Sequence, residues 1–358
     1  MQTEVLIAGA GVVGLALARE LAGRGVAVRV VDRGDPGAGA TRAAAGILSP
    51  TDPHEWDDVL GAFNVASIER WRTWERELGE ETGLPTGYEQ RGEMWVGAPG
   101  EPIVAAAIRG AARVGWRAQE LDEAAIRALE PAVVPDGLEG VHLPDTAAVH
   151  THQLTSALLA SCLARGVELV AATITGLEDG AVRLEDGTGI PFATLVVATG
   201  AWTDGWLPEH LRPGLIPRLG ESLLVRSPGN VLCTRPVRST AGSIVPRTDG
   251  TYWVGVTMLE RGFQDRPSAG SVRRIIERTS RLIPALDDAL FLEARSGLRP
   301  ASPTGLPIVG PVADGVVLAT GHGREGIIQA PLTAQLVADG IAAGDWSATP
   351  PALLPAPN

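Results

Sequence analysis

The stretch EVLIAGAGVVGLALARELAGRGVAVRVVD, at residues 4–32, has the layout of a strand, a helix and a second strand. Glu4 to Ala8 is a short apolar run with β-branched residues, which predicts a buried parallel strand. Leu15 to Gly23 predicts a helix that glycines stop, and Val26 to Val31 predicts the second strand. Together they predict a complete βαβ unit, which indicates an α/β fold.

The turn inside this unit has the spacing G-x-G-x-x-G at Gly9, Gly11 and Gly14. Gly9 permits a tight turn, Gly11 lets the backbone approach a pyrophosphate, and Gly14 lets the helix pack closely on the strand. The positive end of the helix then faces the phosphates. Asp32 closes the second strand, where its carboxylate can accept hydrogen bonds from a ribose hydroxyl. The motif therefore predicts a dinucleotide site, but it does not choose between NAD and FAD.

The composition excludes several classes of protein. The chain has 358 residues, which predicts about two domains, and its formal net charge of −12 argues against a nucleic-acid or anionic-lipid partner. All 30 basic residues are arginine, which excludes chemistries that need a lysine amine. Cys162 and Cys233 form no CxxC, and no segment has the ~20 uninterrupted apolar residues of a membrane helix. We therefore expect a cytoplasmic protein with no membrane partner.

Some conspicuous residues are better explained by structure than by function. His150-x-His152 has no Cys or carboxylate at ligand spacing, so it is interpreted as the start of a helix, and no metal site is predicted. The nine tryptophans, with Trp71 and Trp74 at helical spacing, are interpreted as packing residues. The Pro/Ala-rich segment from Thr349 to Asn358 is expected to fray.

Three further segments favour a flavin over a nicotinamide. Thr41 to Ile47 places a hydroxyl and small residues at a helix start, where backbone N–H groups can meet a flavin's phosphates and ring. Leu195 to Trp202 predicts a strand that ends in a turn of small residues, and Gly321 to Ile328 lies between a strand and a long helix. If that helix begins near Gly326, its positive end faces the flavin edge that gains negative charge on reduction.

These segments together resemble the D-amino acid oxidase superfamily, and within it the glycine oxidases. The similarity runs from about Val5 to Ile341 and includes Gly220-Glu221, Ile244-Val245-Pro246-Arg247, Val256-Thr257-Met258 and Gly297-Leu298-Arg299-Pro300. The resemblance implies an α/β fold in which a Rossmann-like FAD-binding domain contains an inserted antiparallel-sheet substrate domain. It assigns residues 1–85, 146–218 and 295–358 to the FAD-binding domain, and residues 86–145 and 219–294 to the substrate-binding domain.

The resemblance also implies the cofactor and the site residues. FAD is expected to be noncovalent, because neither cysteine stands where relatives attach a flavin. Arg299 of Gly-Leu-Arg-Pro is expected to hold a substrate carboxylate through two parallel charge-assisted hydrogen bonds, and Arg324, Ser243 and Met258 are expected to lie beside it. No catalytic side chain is expected, because the flavin performs the chemistry. The residues expected to bind FAD are Gly9, Gly11, Val12, Val13, Gly14, Asp32, Arg33, Thr41, Arg42, Ala45, Gly46, Ile47, Ile174, Gly200, His322, Gly323, Arg324, Glu325, Gly326, Ile327 and Ile328.

The implied activity is oxidation of the amine of glycine or a small amino acid to an imine, with O2 reduced to H2O2, as in thiamine biosynthesis. The oligomeric state is left open, a homo-oligomer included. The sequence departs from the family pattern at Ser243, where Tyr is expected, at Gly323, where a bulky residue is expected, and at Leu219, where Lys is expected. The first two changes enlarge the predicted pocket. The alternative is therefore an amine oxidase or dehydrogenase that acts on a larger amino acid or conjugate in a specialised pathway.

Three other functions compete with this interpretation. A nicotinamide-dependent dehydrogenase shares the βαβ unit but needs neither Thr41 to Ile47 nor Gly321 to Ile328. A flavin hydroxylase carries Gly-Asp on the strand before its late helix, whereas Gly344-Asp345 follows that helix here. A non-catalytic flavin-binding protein is the third, and oxygen consumption on amino acids separates it from an oxidase.

Overall fold

The computed structural model describes residues 5–49, 58–134, 136–178 and 180–356. Within them the helices are α1 (Val12–Gly23), α2 (Ala40–Ala43), α3 (Asp58–Thr82), α4 (Pro102–Arg113), α5 (Glu123–Leu129), α6 (Thr151–Ala164), α7 (Ala269–Leu282) and α8 (Gly326–Ala343). The strands are β1 (Val5–Ala8), β2 (Val28–Asp32), β3 (Ile47–Leu48), β4 (Glu93–Gly97), β5 (Gln119–Leu121), β6 (Glu139–Leu143), β7 (Ala147–Ala148), β8 (Glu168–Ala171), β9 (Ile174–Glu178), β10 (Ala181–Leu184), β11 (Gly189–Pro191), β12 (Thr194–Val197), β13 (Ile216–Arg226), β14 (Val237–Arg238), β15 (Ser243–Pro246), β16 (Thr251–Gly255), β17 (Leu259–Glu260), β18 (Leu290–Ala301), β19 (Ile308–Ala313) and β20 (Val316–Thr320). Short 3₁₀ turns cover Gly200–Gly205, Glu209–Leu211, Pro284–Asp288 and Pro351–Leu353.

A six-stranded sheet contains the predicted βαβ unit, with the strand order β19-β20-β12-β1-β2-β8. Strand β1 pairs in parallel with β2 and β12, and only the edge strand β19 is antiparallel. The predicted strand–helix–strand order is confirmed. Helix α1 begins at Val12 rather than at the predicted Leu15, because the Leu15 amide already donates to the Gly11 carbonyl at 2.9 Å.

The parallel sheet is buried on both faces. Val5 and Ile7 of β1 pack among residues of α1, α3, α6 and α8. Leu6 and Ala8 point the other way, into a cluster that includes Val182 of the small β9–β11 sheet. A strand covered on both faces needs a continuous apolar run, which is the pattern that the sequence shows at this position.

A second, largely antiparallel sheet has nine strands, in the order β17-β13-β16-β15-β14-β4-β6-β5 with β18 paired to β13. Its longest ladder joins β13 and β18, from Ile216 opposite Ala301 to Arg226 opposite Leu290. The α/β fold with a separate antiparallel sheet is therefore confirmed. The domain boundaries themselves stay a prediction.

The C-terminal segment packs against the body of the protein. Leu353 is fully buried in a cluster with Phe63 of α3 and Leu336 of α8. The expectation that this segment frays is therefore wrong up to residue 356, because its leucine fills an apolar gap between two helices. Among the helices of the described ranges, none has the length and apolar character needed to cross a membrane.

Candidate cofactor and substrate site

A cavity of about 470 Å³ lies where the carboxyl ends of the parallel strands meet the antiparallel sheet. Asp32, at the end of β2, lines it from one side, and Ser243 of β15 and Trp253 of β16 line it from the other. The carboxyl edge of a parallel sheet is where α/β folds bind their ligands, and the volume falls in the range of roughly 300–1,000 Å³ typical of such sites.

The three motif glycines have different structural duties. Gly9 has a φ of 108°, and a Cβ there would lie 2.4 Å from the Ala198 carbonyl oxygen. A Cβ at Gly14 would lie 1.9 Å from the Gly9 carbonyl oxygen, so that glycine permits the helix to pack on the turn. At Gly11, which lines the cavity, a Cβ would meet only Thr41 Oγ1, at 3.6 Å. The turn therefore leaves room for a bulky anionic group at the helix N-terminus.

Asp32 and Thr41 hold this turn from two sides. Asp32 Oδ2 accepts a hydrogen bond from the Ala10 amide at 2.6 Å, and Oδ1 accepts one from the Gly34 amide at 2.9 Å. Thr41 Oγ1 accepts one from the Val12 amide at 3.1 Å. Both side chains also line the cavity. They thus form part of the scaffold of the site as well as its surface.

The C-terminal end of α2 is held through its carbonyl groups by the antiparallel sheet. Trp253 Nε1 donates to the Ala43 carbonyl at 2.9 Å, and Arg247 Nη2 donates to the Ala44 carbonyl at 3.1 Å. Burial lowers the pKa of the Arg247 guanidinium to about 10, so it remains a cation at neutral pH. The antiparallel sheet therefore fixes Ala43 and Ala44, both of which line the cavity.

Helix α8 points its N-terminus at the cavity, with Gly326, Ile327 and Ile328 in the lining. Ser67 Oγ and Trp71 Nε1 of α3 donate to the Ile328 carbonyl at 2.6 and 2.9 Å. These bonds fix the first turn of α8 relative to the rest of the core. The predicted helix start at Gly326 is confirmed, and its unpaired N–H groups suit a partner that carries negative charge.

His322 is the buried imidazole of the lining. Its Nε2 lies 3.1 Å from Thr333 Oγ1, and burial lowers its pKa to about 4. The ring is therefore neutral at physiological pH. The neutral ring contributes a dipole but no charge to the cavity. The positive charge there comes from the N-terminus of α8 and from the arginines.

We expect His322 to make the folded protein acid-sensitive. The unfolded chain takes up a proton at this residue below about pH 6.5, while the native state resists protonation until about pH 4. Its contribution to the free energy of unfolding should thus be full above pH 6.5 and fall by about 2 kcal/mol between pH 7 and pH 5. Denaturant titrations of the holoprotein at both pH values check this. His322→Gln should flatten the difference, whereas His210→Gln, at an exposed site, should keep the parental slope. If the free energy of unfolding falls equally between pH 7 and pH 5 in His322→Gln and in the parent, the result contradicts a neutral, buried His322.

Arg299 lies at the end of β18 and reaches into the cavity. Its side chain crosses over Gly220 of the paired strand, where a Cβ would lie 2.3 Å from Arg299 Nη1. The same nitrogen donates to the Thr257 carbonyl at 3.3 Å. The guanidinium is thus placed by a glycine that makes space for it and a carbonyl that accepts a hydrogen bond from it.

The cavity brings together most of the predicted site residues. Arg299, Arg324 and Ser243 line it. The predicted cofactor residues in its lining are Gly9, Gly11, Val12, Val13, Asp32, Arg33, Thr41, Ala45, Gly46, Ile47, Ile174, Gly200, His322, Gly323, Arg324, Glu325, Gly326, Ile327 and Ile328. Three predicted residues lie outside it: Gly14, which sits behind the turn, Arg42, whose guanidinium pairs with Glu293 at 2.7 Å, and Met258, which is 42% exposed.

The aromatic part of the lining was not predicted. It consists of Trp202, Trp206 and Trp253. The interpretation of tryptophans as packing residues is confirmed for Trp71 and Trp74, which are fully buried with their ring centroids 4.9 Å apart, and for Trp206, which packs in a core cluster and also lines the cavity. The sequence offered one signal for this aromatic lining, because Trp202 ends the segment from Leu195 that favours a flavin. Trp56 lies outside the described residues.

Arg238 is another member of the lining that was not predicted. Its guanidinium carbon lies 3.8 Å from the Trp95 ring centroid, and Nη1 lies 3.3 Å from Glu93 Oε2. Ser49 Oγ donates to the same fully buried carboxylate at 2.6 Å. Arg238 belongs to the two-residue strand β14, which has no periodicity from which its burial could be predicted.

The sequence matches the family described as FAD dependent oxidoreductase over residues 4–340. The chain belongs to this family. The glycine-rich turn, the open position at Gly11 and the N-terminus of α8 fit the diphosphate and the ring of FAD, which is the cofactor of these oxidoreductases. The nicotinamide-dependent alternative is thereby excluded.

The relatives of this FAD-dependent oxidoreductase include glycine oxidases, which confirms the resemblance. The bifunctional protein ThiO/ThiG of Trichormus variabilis is 35% identical over 95% of this chain and 52% of its own length, so the chain spans about half of that relative. Glycine oxidase of Geobacillus kaustophilus is 30% identical over 94% of this chain and 92% of its own. A crystal structure of glycine oxidase from that organism has a TM-score of 0.90 at 27% identity, covering 99% of this chain and 98% of that one. Iminodiacetate oxidase of a Chelativorans species has a TM-score of 0.85 at 26% identity, covering 98% and 99%.

Proposed function

We propose that the protein oxidises the amine of glycine or a small amino acid to an imine, with O2 as the electron acceptor and H2O2 as the second product. The observation behind this proposal is the position of Arg299, a guanidinium held by Gly220 and Thr257 at the wall of a cavity that fits FAD. Glycine oxidases are among the relatives, which supports the same substrate class.

The protein's residues would bind, orient and polarise the substrate, while bound FAD would accept two electrons as a hydride from the carbon that bears the amine. Arg299 would pair with the substrate carboxylate through two N–H groups, with Arg324 nearby in the lining. The N-terminus of α8 would stabilise negative charge on the neighbouring part of the cavity, and the neutral His322 would add no competing cation there. No side-chain base is required if the amine binds in its neutral form.

A substrate larger than glycine is the second candidate, and two residues favour it. Ser243 lines the cavity with a short side chain, and a Cβ at Gly323 would meet nothing within 4 Å. A pocket wider than glycine needs can accept a substituted amine nitrogen or a side chain. Iminodiacetate oxidase, which has the same fold, is named for such an N-substituted substrate.

A peroxide assay across glycine, sarcosine, iminodiacetate and both enantiomers of small amino acids distinguishes these candidates. We expect turnover with at least one amino acid, and the ratio of kcat/KM between glycine and iminodiacetate shows whether the cavity prefers the small or the N-substituted substrate. Oxygen uptake without peroxide on every substrate contradicts a simple oxidase. A yellow protein that bleaches with an amino acid, stays reduced in air and turns over only when an artificial electron acceptor is added indicates a dehydrogenase.

A further inference from the structure

The chain between β16 and α7 covers the cavity beside Arg299. Residues 258–267, here called the covering segment, contribute Asp265 to the cavity lining. The ring of Phe263 in this segment lies 6.4 Å from the ring of Trp202, which also lines the cavity. Phe263 is 55% exposed, so the segment lies between the cavity and solvent. The contacts that fix the two ends of the covering segment therefore also affect the shape of the cavity on its substrate side.

Glu221 of β13 contacts both ends of the covering segment. Its Oε1 accepts a hydrogen bond from the Ser268 amide at 2.6 Å, immediately after the segment, and its Oε2 accepts one from Thr257 Oγ1 at 2.9 Å, immediately before it. The main chain of Glu221 adds two further bonds to Thr257, since its amide donates to Oγ1 at 2.9 Å and its carbonyl accepts from the Thr257 amide at 3.2 Å.

Glu221 as a whole residue is only 1% exposed. Burial alone raises the pKa of Glu221, but hydrogen bonds from Ser271, Ser268 and Thr257 outweigh burial and hold this pKa below its usual value. Glu221 is therefore an ionised acceptor at neutral pH. Charge-assisted hydrogen bonds of this kind are stronger than neutral ones, so the two ends of the segment are firmly held.

Thr257 links this anchor to Arg299. The Thr257 carbonyl accepts a hydrogen bond from Arg299 Nη1 at 3.3 Å. Gly220, the residue before Glu221, is where the Arg299 guanidinium crosses the strand, because any Cβ there would lie 2.3 Å from Nη1. The dipeptide Gly220-Glu221 thus has two roles in one place: its glycine makes space for the guanidinium, and its glutamate fixes the carbonyl that orients it.

We propose that Glu221 is a positioning residue for substrate carboxylate binding. It pins both ends of the covering segment and, through the Thr257 carbonyl, sets the direction of the Arg299 guanidinium. This inference rests on the proposed function of Arg299. Removing the anchor should let the segment open and let the guanidinium swing away from one orientation, with no direct loss of a group that contacts FAD.

The test uses the holoenzyme, with glycolate, an amine-free analogue of glycine, as the probe for the carboxylate site. Titration of the bound flavin's visible spectrum with glycolate gives a Kd that does not depend on turnover. We expect Glu221→Gln to weaken glycolate binding about tenfold, because one charge-assisted acceptor is lost. KM should rise more than kcat falls. Cleavage by trypsin after Arg261, inside the covering segment, should also become about tenfold faster. The flavin content should stay at the parental level.

Matched variants separate this role from a general loss of stability. Glu260→Gln changes an exposed glutamate of the same segment, paired only at the surface with Arg218 at 2.6 Å, and it should leave glycolate affinity and tryptic cleavage unchanged. Thr257→Val removes the hydroxyl bonds but keeps the carbonyl and should act like Glu221→Gln, whereas Thr257→Ser should act like the parent. If Glu221→Gln does not fold, the comparison of Thr257→Val with Thr257→Ser tests the proposal instead.

A double mutant decides whether Glu221 acts through Arg299. In an Arg299→Ala background, Glu221→Gln should change glycolate affinity by less than about twofold, because the two residues act on one contact. Additive losses overturn the proposal. If Glu221→Gln binds glycolate like the parent while Arg299→Ala binds it more weakly, the proposal is also overturned, but the proposed function is left intact. If Arg299→Ala itself binds glycolate like the parent, the proposed function fails, and the positioning role fails with it.

Discussion

Replacing Arg299 by alanine is expected to lower kcat/KM by roughly 30-fold to several-thousand-fold. The guanidinium is half-buried at the cavity wall, so its removal leaves a substrate carboxylate without its main partner. Losing one member of a desolvated charge pair costs ~2–5 kcal/mol, and each ~1.4 kcal/mol is a factor of ten in kcat/KM. The flavin spectrum should change little, because Arg299 lies on β18, away from the glycine-rich turn. Steady-state kinetics on the substrate found by the peroxide panel, with flavin content measured in parallel, check this.

Three companion variants make the result specific to this guanidinium. Arg299→Lys should recover only part of the loss, since an ammonium cannot form two parallel bonds to one carboxylate. Arg324→Ala should lower kcat/KM less than Arg299→Ala does if Arg324 shares the contact with the substrate carboxylate. Arg226→Ala, at the exposed far end of the partner strand β13, should stay within about threefold of the parent. If Arg299→Ala also stays within about threefold, the carboxylate is bound elsewhere, and a substrate without a carboxylate becomes the better hypothesis.

The parts of the fold that depend on local pattern could be predicted from the sequence. The run before Gly9, the three glycines and the strand that ends at Asp32 each have a local physical cause, namely burial on both faces or a turn that tolerates no side chain. Helix α8 was predicted to begin at Gly326 because a glycine-rich loop precedes a long apolar stretch, and it does.

Elements stabilised by distant partners could not be predicted in the same way. Strand β18 begins with Leu290, Phe291 and Leu292, all exposed, so no alternation of apolar and polar residues marks it as a strand. Its conformation comes from pairing along the whole of β13, which is distant in sequence. Arg299 was singled out by its motif, but the sequence did not show that it would lie on β18 with its guanidinium over Gly220 of β13.

The same distinction applies to the site. Residues that lie in motifs, such as Gly11, Thr41 and His322, line the cavity, and their binding of FAD stays a prediction. Trp253 and Arg238 belong to the lining because strands β14 to β16 bring them there, and neither lies in a motif that points to a ligand. Glu221 illustrates the limit most clearly, since its importance depends on contacts with Thr257 and Ser268, which its own sequence neighbourhood does not reveal.

Gly11→Val is expected to fold and to purify without colour. The backbone of Gly11 is extended, with φ −70° and ψ 179°, which valine adopts without strain, and a Cβ there would meet only Thr41 Oγ1, at 3.6 Å. The added methyl groups would instead occupy space in the cavity, where the pyrophosphate of FAD must approach the backbone. Flavin released per polypeptide, together with thermal unfolding of the purified protein with and without added FAD, checks both halves of this expectation.

The choice of glycine matters, because Gly14→Val would lose FAD for a different reason. A Cβ at Gly14 would lie 1.9 Å from the Gly9 carbonyl oxygen, so that variant should fail to fold, whereas Gly11→Val should unfold cooperatively without responding to FAD. Gly205→Val is the matched control: a Cβ at Gly205 meets nothing within 4 Å, and the residue is exposed outside the cavity lining, so this variant should remain yellow. A Gly11→Val protein with a full complement of flavin would overturn the proposed cofactor site, because no pyrophosphate could then lie against this turn.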